Sequence, residues 1–264
     1  MMPFLKWPGG KRWFISQHSN LLPSNYNRYI EPFLGSGAVF FHLEPVSAIL
    51  GDSNEKLIAL YQGIRNNSTA LEKLLQFHQL NHSNKYYYTI RDLVPTDPIE
   101  HAAQIIYLNR TCFNGIYRVN LKGKFNVPKG TRDSVILPTD NFRGVSDLLK
   151  TADIHACDFE TLIEIAERKD FVFADPPYTT THNLNGFVKY NEKLFSWDDQ
   201  VRLANCLSRA RGRGVMVIAT NANHPAIRAL YNDRGFTLQT VSRFSSVSAS
   251  AENRKLFEEL IILS

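Results

Sequence analysis

The apolar residues of this chain fall into two kinds of run. Short, nearly continuous ones, bounded by glycine, proline or acid, read as strands buried on both faces of a parallel sheet. These occupy residues 28–33, 48–50, 171–174 and 215–219. Between them lie stretches with apolar residues at helical spacing. Residues 38–43 open one helix, and Leu57, Ile58, Leu60, Tyr61 and Ile64 mark another that Asn54 can cap. Residues 153–158 add a strand and 160–168 a helix. Ser196-Trp197-Asp198-Asp199 resembles a capping box opening a helix through Val201, Leu203, Ala204 and Leu207. Two late runs, 236–241 and 256–263, are expected to pair as the antiparallel edge of an otherwise parallel sheet. The alternation breaks between residues 67 and 142, where helices rich in Leu, Tyr, His and Asn precede a basic stretch punctuated by Gly, Asn and Pro. The expected fold is α/β: one doubly wound, Rossmann-like domain formed by 1–66 and 143–264, interrupted by a mostly helical insertion at 67–142.

Composition narrows the class. The chain has 264 residues, 44% of them hydrophobic and 12% aromatic, enough to bury a large core, which excludes a disordered or fibrous chain. No run approaches the ~18 apolar residues that span a bilayer, and the first ten residues lack the pattern of a signal peptide. A cytoplasmic protein without a membrane partner is expected. Cys112, Cys157 and Cys206 lie far apart and form no C-x-x-C pair, so no disulfide framework or zinc cluster is encoded. The spacing of His78, His82 and His101 makes no metal site either. The net charge is +5. Residues 101–150 hold eight basic side chains against three acids, an excess equal to that of the whole chain. Such a segment reads as a solvated surface or as a site for an acidic partner.

Two loops carry candidate chemistry. In Pro32-Phe33-Leu34-Gly35-Ser36-Gly37, glycines after a strand let the backbone approach a nucleoside-bearing ligand. The loop is no Walker A motif, and the dinucleotide fingerprint fails because Phe40 stands where its third glycine would be. Asp52, fifteen positions beyond Gly37, either accepts two ribose hydroxyls or caps the next helix. The sharper signal is Asp175-Pro176-Pro177-Tyr178 after a buried strand. Consecutive prolines remove two donors and fix an extended turn that can hold an acceptor in place.

These motifs, together with Phe4-Leu5-Lys6-Trp7-Pro8-Gly9-Gly10-Lys11, Asp52-Ser53-Asn54, Leu108-Asn109-Arg110-Thr111-Cys112-Phe113-Asn114-Gly115 and Phe125-Asn126-Val127-Pro128, make the chain resemble the Dam-type, D12 class DNA adenine-N6 methyltransferases. The resemblance spans nearly the whole chain. It implies S-adenosylmethionine as cofactor, duplex DNA as partner, no metal, and a monomer in solution, with the insertion as a target-recognition domain. Trp7, Lys11, Phe33, Gly35, Gly37, Asp52 and Asp175 are then expected to bind cofactor. Asp158 and Phe159 would meet its adenine, or else serve as a strand end and a core aromatic.

An exocyclic adenine amine is a weak nucleophile because its lone pair is delocalised. Asp175 and the Pro176 carbonyl can accept its two hydrogens and aim the lone pair at a methyl donor, while Tyr178 stacks on the base. The base must first be flipped out of the duplex. Phe113 could wedge into the gap, or be plain core. In the insertion, Arg110, Asn114, Arg118 and Asn120 alternate with apolar residues, a mixture suited to phosphates and base edges. By resemblance Arg118 reads a guanine, Lys6 contacts DNA, and the site is GATC or a relative beginning GA. Lys122, Lys124 and Lys129 would meet phosphates. An RNA or cytosine-N4 methyltransferase would share the catalytic turn, and a non-catalytic DNA-binding protein would share the basic segment. A nicotinamide oxidoreductase is disfavoured by the incomplete glycine fingerprint.

Overall fold

A computed structural model of the chain describes residues 1–115, 118, 120, 124–178, 195–244 and 256–264. They form two compact units. Unit 1 comprises Met1–Ile15, Gly35–Val46 and Asn54–Ala156, and unit 2 comprises Ser16–Leu34, Ser47–Ser53 and Cys157–Ser264. Among the described residues no helix is long and apolar enough to cross a membrane.

Unit 2 is built on six strands: β1 (Tyr29–Glu31), β2 (Ala48–Asp52), β4 (Phe171–Ala174), β5 (Met216–Ala222), β6 (Thr237–Phe244) and β7 (Leu256–Leu263). Their order is β2-β1-β4-β5-β7-β6. The first four run parallel, and β4 is buried along its whole length, as its unbroken apolar run requires. The late strands pair antiparallel as expected, but β7 takes the inner place against β5 and leaves β6 at the edge. This follows from polarity: β7 carries Leu260, Ile261 and Ile262, all fully buried, whereas β6 exposes Thr237, Gln239, Thr240 and Ser242. Helices α7 (Phe159–Glu164), α8 (Trp197–Gly212) and α9 (Pro225–Asn232) pack their apolar faces on this sheet around Leu162, Ile163, Leu203, Leu207, Ile227 and Tyr231. Ser196 and Asp199 form the reciprocal capping box of α8 that their spacing predicts. Helix α7 ends at Glu164, four residues short of the expected end, and a separate turn with Lys169 at φ +70° leads into β4. At the amino ends of β1 and β4, the buried Asp170 carboxylate takes the Arg28 guanidinium at 2.6 Å and the Arg28 and Glu167 amides. The opposite, carboxyl ends are left for chemistry.

Unit 1 holds α2 (Ala38–Leu43), α3 (Glu55–Asn81), α4 (Asn84–Asp92), α5 (Pro98–Thr111), α6 (Phe142–Leu149) and β3 (Ala152–Ala156). Asn54 caps α3 by accepting from the Leu57 amide. The helix breaks at Asn67 (φ −152°, ψ 64°), whose side chain accepts from the Ala70 amide and so restarts the helix. That break falls at the expected start of the insertion. The 67–142 stretch nevertheless forms no compact unit of its own: it shares one with the N-terminal segment and with residues 143–156. A cluster of edge-to-face rings, Phe4 against Phe41, Tyr61 and Phe142, joins these segments. His78 is core, as its place on α3 allows. Burial lowers its imidazole to about 4, so a neutral ring meets the Tyr86 hydroxyl at 2.8 Å.

Candidate active site

In unit 2 the Asp175–Tyr178 turn leaves the carboxyl end of β4 and is held by neighbours on three elements. Asp175 Oδ1 accepts from Thr220 Oγ1 on β5 at 2.7 Å. The Pro177 carbonyl accepts from Gln200 Nε2 on α8 at 3.2 Å, and Gln200 Oε1 accepts in turn from Asn221 Nδ2 on β5 at 2.9 Å. The Tyr178 hydroxyl donates to Glu259 Oε2 on β7 at 2.6 Å. Burial, reinforced by Asp175 and Glu259, raises the Tyr178 phenol well above its ordinary value, so it keeps its proton at any physiological pH. Asp175 and Tyr178 are half-buried, which leaves each an accessible side, and Pro176 is buried. Sequence reasoning did not find Thr220, Gln200, Asn221 or Glu259. The available signal was position: Thr220 and Asn221 directly follow the apolar run of β5, at the same end of the sheet as Asp175.

Elsewhere in unit 2, Asp52 ends β2, half-buried, and its carbonyl accepts from the Cys157 amide. Asn54 supplies the N-cap of α3. Phe33 stacks on Phe159 at 5.4 Å and meets Phe195 edge-on at 5.7 Å. Asp158 caps α7 through the Glu160 amide and gives both oxygens to Arg202, at 2.6 and 2.8 Å. The same guanidinium lies 4.2 Å from the Phe159 ring centre. Phe159 is almost wholly buried, 5% exposed. Nearby, ligand atoms of Glu160, Glu164 and Cys206 lie within 4.8 Å of one another, but Arg202, Arg209 and Arg213 neutralise the two acids.

In unit 1, Gly35 and Gly37 both take positive φ, +48° and +63°. A β-carbon on Gly35 would stand 3.1 Å from Trp7 Cδ1, so glycine permits both the turn and the close approach of the indole. The Gly35 carbonyl accepts from the Tyr61 hydroxyl at 2.9 Å. Lys11 is buried and donates to the Gly9 carbonyl.

Comparison with known proteins decides the family. The pattern described as D12 class N6 adenine-specific DNA methyltransferase matches residues 7–247. The type II methyltransferase M1.LlaDCHI of Lactococcus lactis subsp. cremoris is 35% identical over 271 residues, covering 99% of this chain and 95% of the relative. M.MjaIII, a type II methyltransferase of Methanocaldococcus jannaschii, is 36% identical over 285 residues, covering 98% of each. A DNA adenine methylase of Haemophilus influenzae is 32% identical over 267 residues, covering 99% of this chain and 93% of the relative. The chain belongs to the D12 class N6 adenine-specific DNA methyltransferase family.

The DNA-contact residues expected of this adenine methyltransferase divide three ways. Phe113 is 54% exposed at the end of α5, which removes the core reading. Asn114 beside it is exposed at φ +58°, and Gly115 follows at φ +65°. Lys6 is stitched to this turn: Asn109 accepts from its amide at 2.9 Å and donates to its carbonyl at 2.7 Å. Burial lowers the Lys6 ammonium, and Arg132 and Arg12 lower it further, the mark of concentrated positive charge. Arg132 was not singled out from the sequence. Arg118 and Lys124 are exposed, and Lys122 lies outside the described residues. Lys129 is engaged by Asp133 at 2.9 Å.

Arg110 is a correction. Its guanidinium is 4% exposed, forms a two-pronged pair with Asp140 at 2.6 and 2.7 Å, and donates to the carbonyls of Val135 and Phe4. Every residue of α5 from Ala102 to Thr111 is buried, so this basic residue serves as an internal strut.

Proposed function

We propose that this methyltransferase transfers methyl from S-adenosylmethionine to N6 of an adenine flipped out of duplex DNA, in GATC or a related site beginning GA. The observation that carries the reading is the Asp175–Tyr178 turn, whose acceptors and aromatic ring are held at the carboxyl end of β4 by bonds to β5, α8 and β7. Asp175 and the Pro176 carbonyl accept the two amine hydrogens and localise the lone pair, and Tyr178 stacks on the base, a contact worth about 1–3 kcal/mol. When bound, the cofactor supplies a methyl group already activated by positive sulfur. The residues fit such a ligand: a half-buried acid, Asp52, ends β2, and Gly35 and Gly37 take positive φ in a turn without β-carbons at those positions. In unit 2 Asp52 accepts from the ribose and Phe33 gives an apolar surface. Trp7, Lys11, Gly35 and Gly37, in unit 1, are proposed as cofactor-binding residues on the resemblance of their motifs.

The test is to treat unmethylated DNA with the purified enzyme and cofactor and to map methylated adenines by sequencing. Modified adenines are expected at one short motif containing GA. Modification of cytosine, or of RNA in preference to duplex DNA, overturns the reading.

Exposed Arg118 is the reader of the guanine preceding the target. Arg118→Ala is expected to reduce discrimination at that base pair by about 1–3 kcal/mol, the worth of a two-pronged arginine contact to guanine. Phe113→Ala is expected to slow all sites alike, because a wedge carries no sequence information. The ratio of methylation rates on the best site and its single-base variants measures both. An equal slowing of every site by Arg118→Ala would make the arginine a phosphate clamp.

A further inference from the structure

We infer that Thr220 and Glu259 are positioning residues that set the catalytic turn from the two strands beside it, Thr220 through the Asp175 carboxyl and Glu259 through the Tyr178 hydroxyl. The inference rests on the proposed role of that turn.

Strand register brings the two residues together. In the parallel pair β4·β5, Ala174 lies opposite Ala219, so the next residues along the two strands are Asp175 and Thr220. In the antiparallel pair β5·β7, Thr220 lies opposite Ile261, and Ala222 opposite Glu259. Alternate residues of a strand share a face, so Thr220 and Ala222 project with Ile261 and Glu259. Thr220 and Glu259 are therefore diagonal neighbours on one face, close enough for their side chains to serve a common target. That target is the turn, reached at 2.7 Å by Thr220 and at 2.6 Å by Glu259. Asn221 points to the other face and works through Gln200 on the Pro177 carbonyl. The turn is thus gripped from both faces of β5.

The burial of these groups argues that they are kept for a reason. Thr220 is fully buried and Glu259 is 2% exposed. A buried acid is costly unless hydrogen-bonded, and an apolar residue opposite Ala222 would suit the strand equally well. A phenol donating to a carboxylate makes a bond about twice as strong as a neutral one, which fixes the tilt of the Tyr178 ring and hence the plane on which a base can stack. Thr220 likewise fixes the rotation of the Asp175 carboxyl about its Cβ–Cγ bond. Rotating that carboxyl or tilting that ring moves the acceptor or the base by a fraction of an ångström to an ångström, enough to slow a reaction about 100-fold.

The test compares full-length Thr220→Val, Thr220→Ser, Tyr178→Phe, Glu259→Gln and the Tyr178→Phe/Glu259→Gln double variant with wild type. The readouts are kcat and KM for duplex DNA, the cofactor dissociation constant, and the fluorescence of 2-aminopurine placed at the target adenine. Thr220→Val is expected to lower kcat about 10- to 100-fold with cofactor affinity within about threefold. Thr220→Ser keeps the hydroxyl and is expected to restore most of kcat, which a packing role would not require. Glu259→Gln is expected to lower kcat and the fluorescence change together. If Glu259 works through the phenol, the double variant falls no lower than Tyr178→Phe alone. Multiplying effects in that cycle, or kcat within about twofold of wild type for both Thr220→Val and Glu259→Gln, overturn the inference. Asp175→Ala, run alongside, separates the two failures: if it still turns over, the reading of the turn fails, and if it is inactive while Thr220→Val and Glu259→Gln are not, only the positioning role fails.

Discussion

Asp175→Ala is expected to abolish methyl transfer while leaving the fold and cofactor affinity near those of wild type. The carboxyl is half-buried at the end of β4, where Asp175 Oδ1 accepts from Thr220 at 2.7 Å, outside the apolar core that holds the sheet. The loss falls on the transition state, where nitrogen gains positive character and an acceptor for its hydrogens matters most. Removing one such pre-placed group costs about 100- to 1000-fold in kcat, and here the amine loses the charged member of its acceptor pair. Single-turnover methylation, thermal unfolding and cofactor titration measure the three quantities. Turnover within about tenfold of wild type would overturn the assignment of Asp175.

Asp140→Ala is expected to destabilise the protein severely without touching the chemistry of the turn. It strips the acid from Arg110, whose guanidinium is 4% exposed and lies 2.6 Å from a carboxylate that is itself only 11% exposed. Asp140 Oδ2 also accepts from the Leu137 amide, so the substitution frees a loop end as well. Breaking a buried pair by removing one partner costs about 3–5 kcal/mol, because the remaining charge is left in a poor solvent. At about 2–4 °C per kcal/mol for a protein of this size, the midpoint is expected to fall by about 6–20 °C. The double replacement Arg110→Met/Asp140→Leu is expected to regain much of this loss, since it removes the buried charge together with its partner. A midpoint for Asp140→Ala within about 2 °C of wild type would show that Arg110 is wetted in solution and that the pair contributes little.

Much of the fold was legible because its signals are local. The apolar run before Asp175, the glycines after β1 and the caps at Asn54 and Ser196 each depend on a few consecutive residues, and each stands in the structure within a few positions of its expected place. The same locality explains the misses. Arg110 sits in a basic segment and reads as a surface residue; its partner is 30 residues away, and α5 is buried on all sides from Ala102 to Thr111 by what it packs against. Helix α7 likewise stops at Glu164, four residues short of the expected end.

By itself, the sequence determined the α/β class, the strand and turn that present Asp175, Pro176 and Tyr178, and the family, since ordered motifs of adjacent residues need no knowledge of what lies across space. Only the tertiary structure decided what surrounds them. It placed β7 rather than β6 beside β5 and brought Thr220 to Asp175 across 45 residues and Glu259 to Tyr178 across 81. It also turned Arg110 inward while leaving Phe113 exposed. The physical reason is that these contacts are made by register and burial. Both are properties of how strands and helices pack, and no stretch of neighbouring residues encodes them.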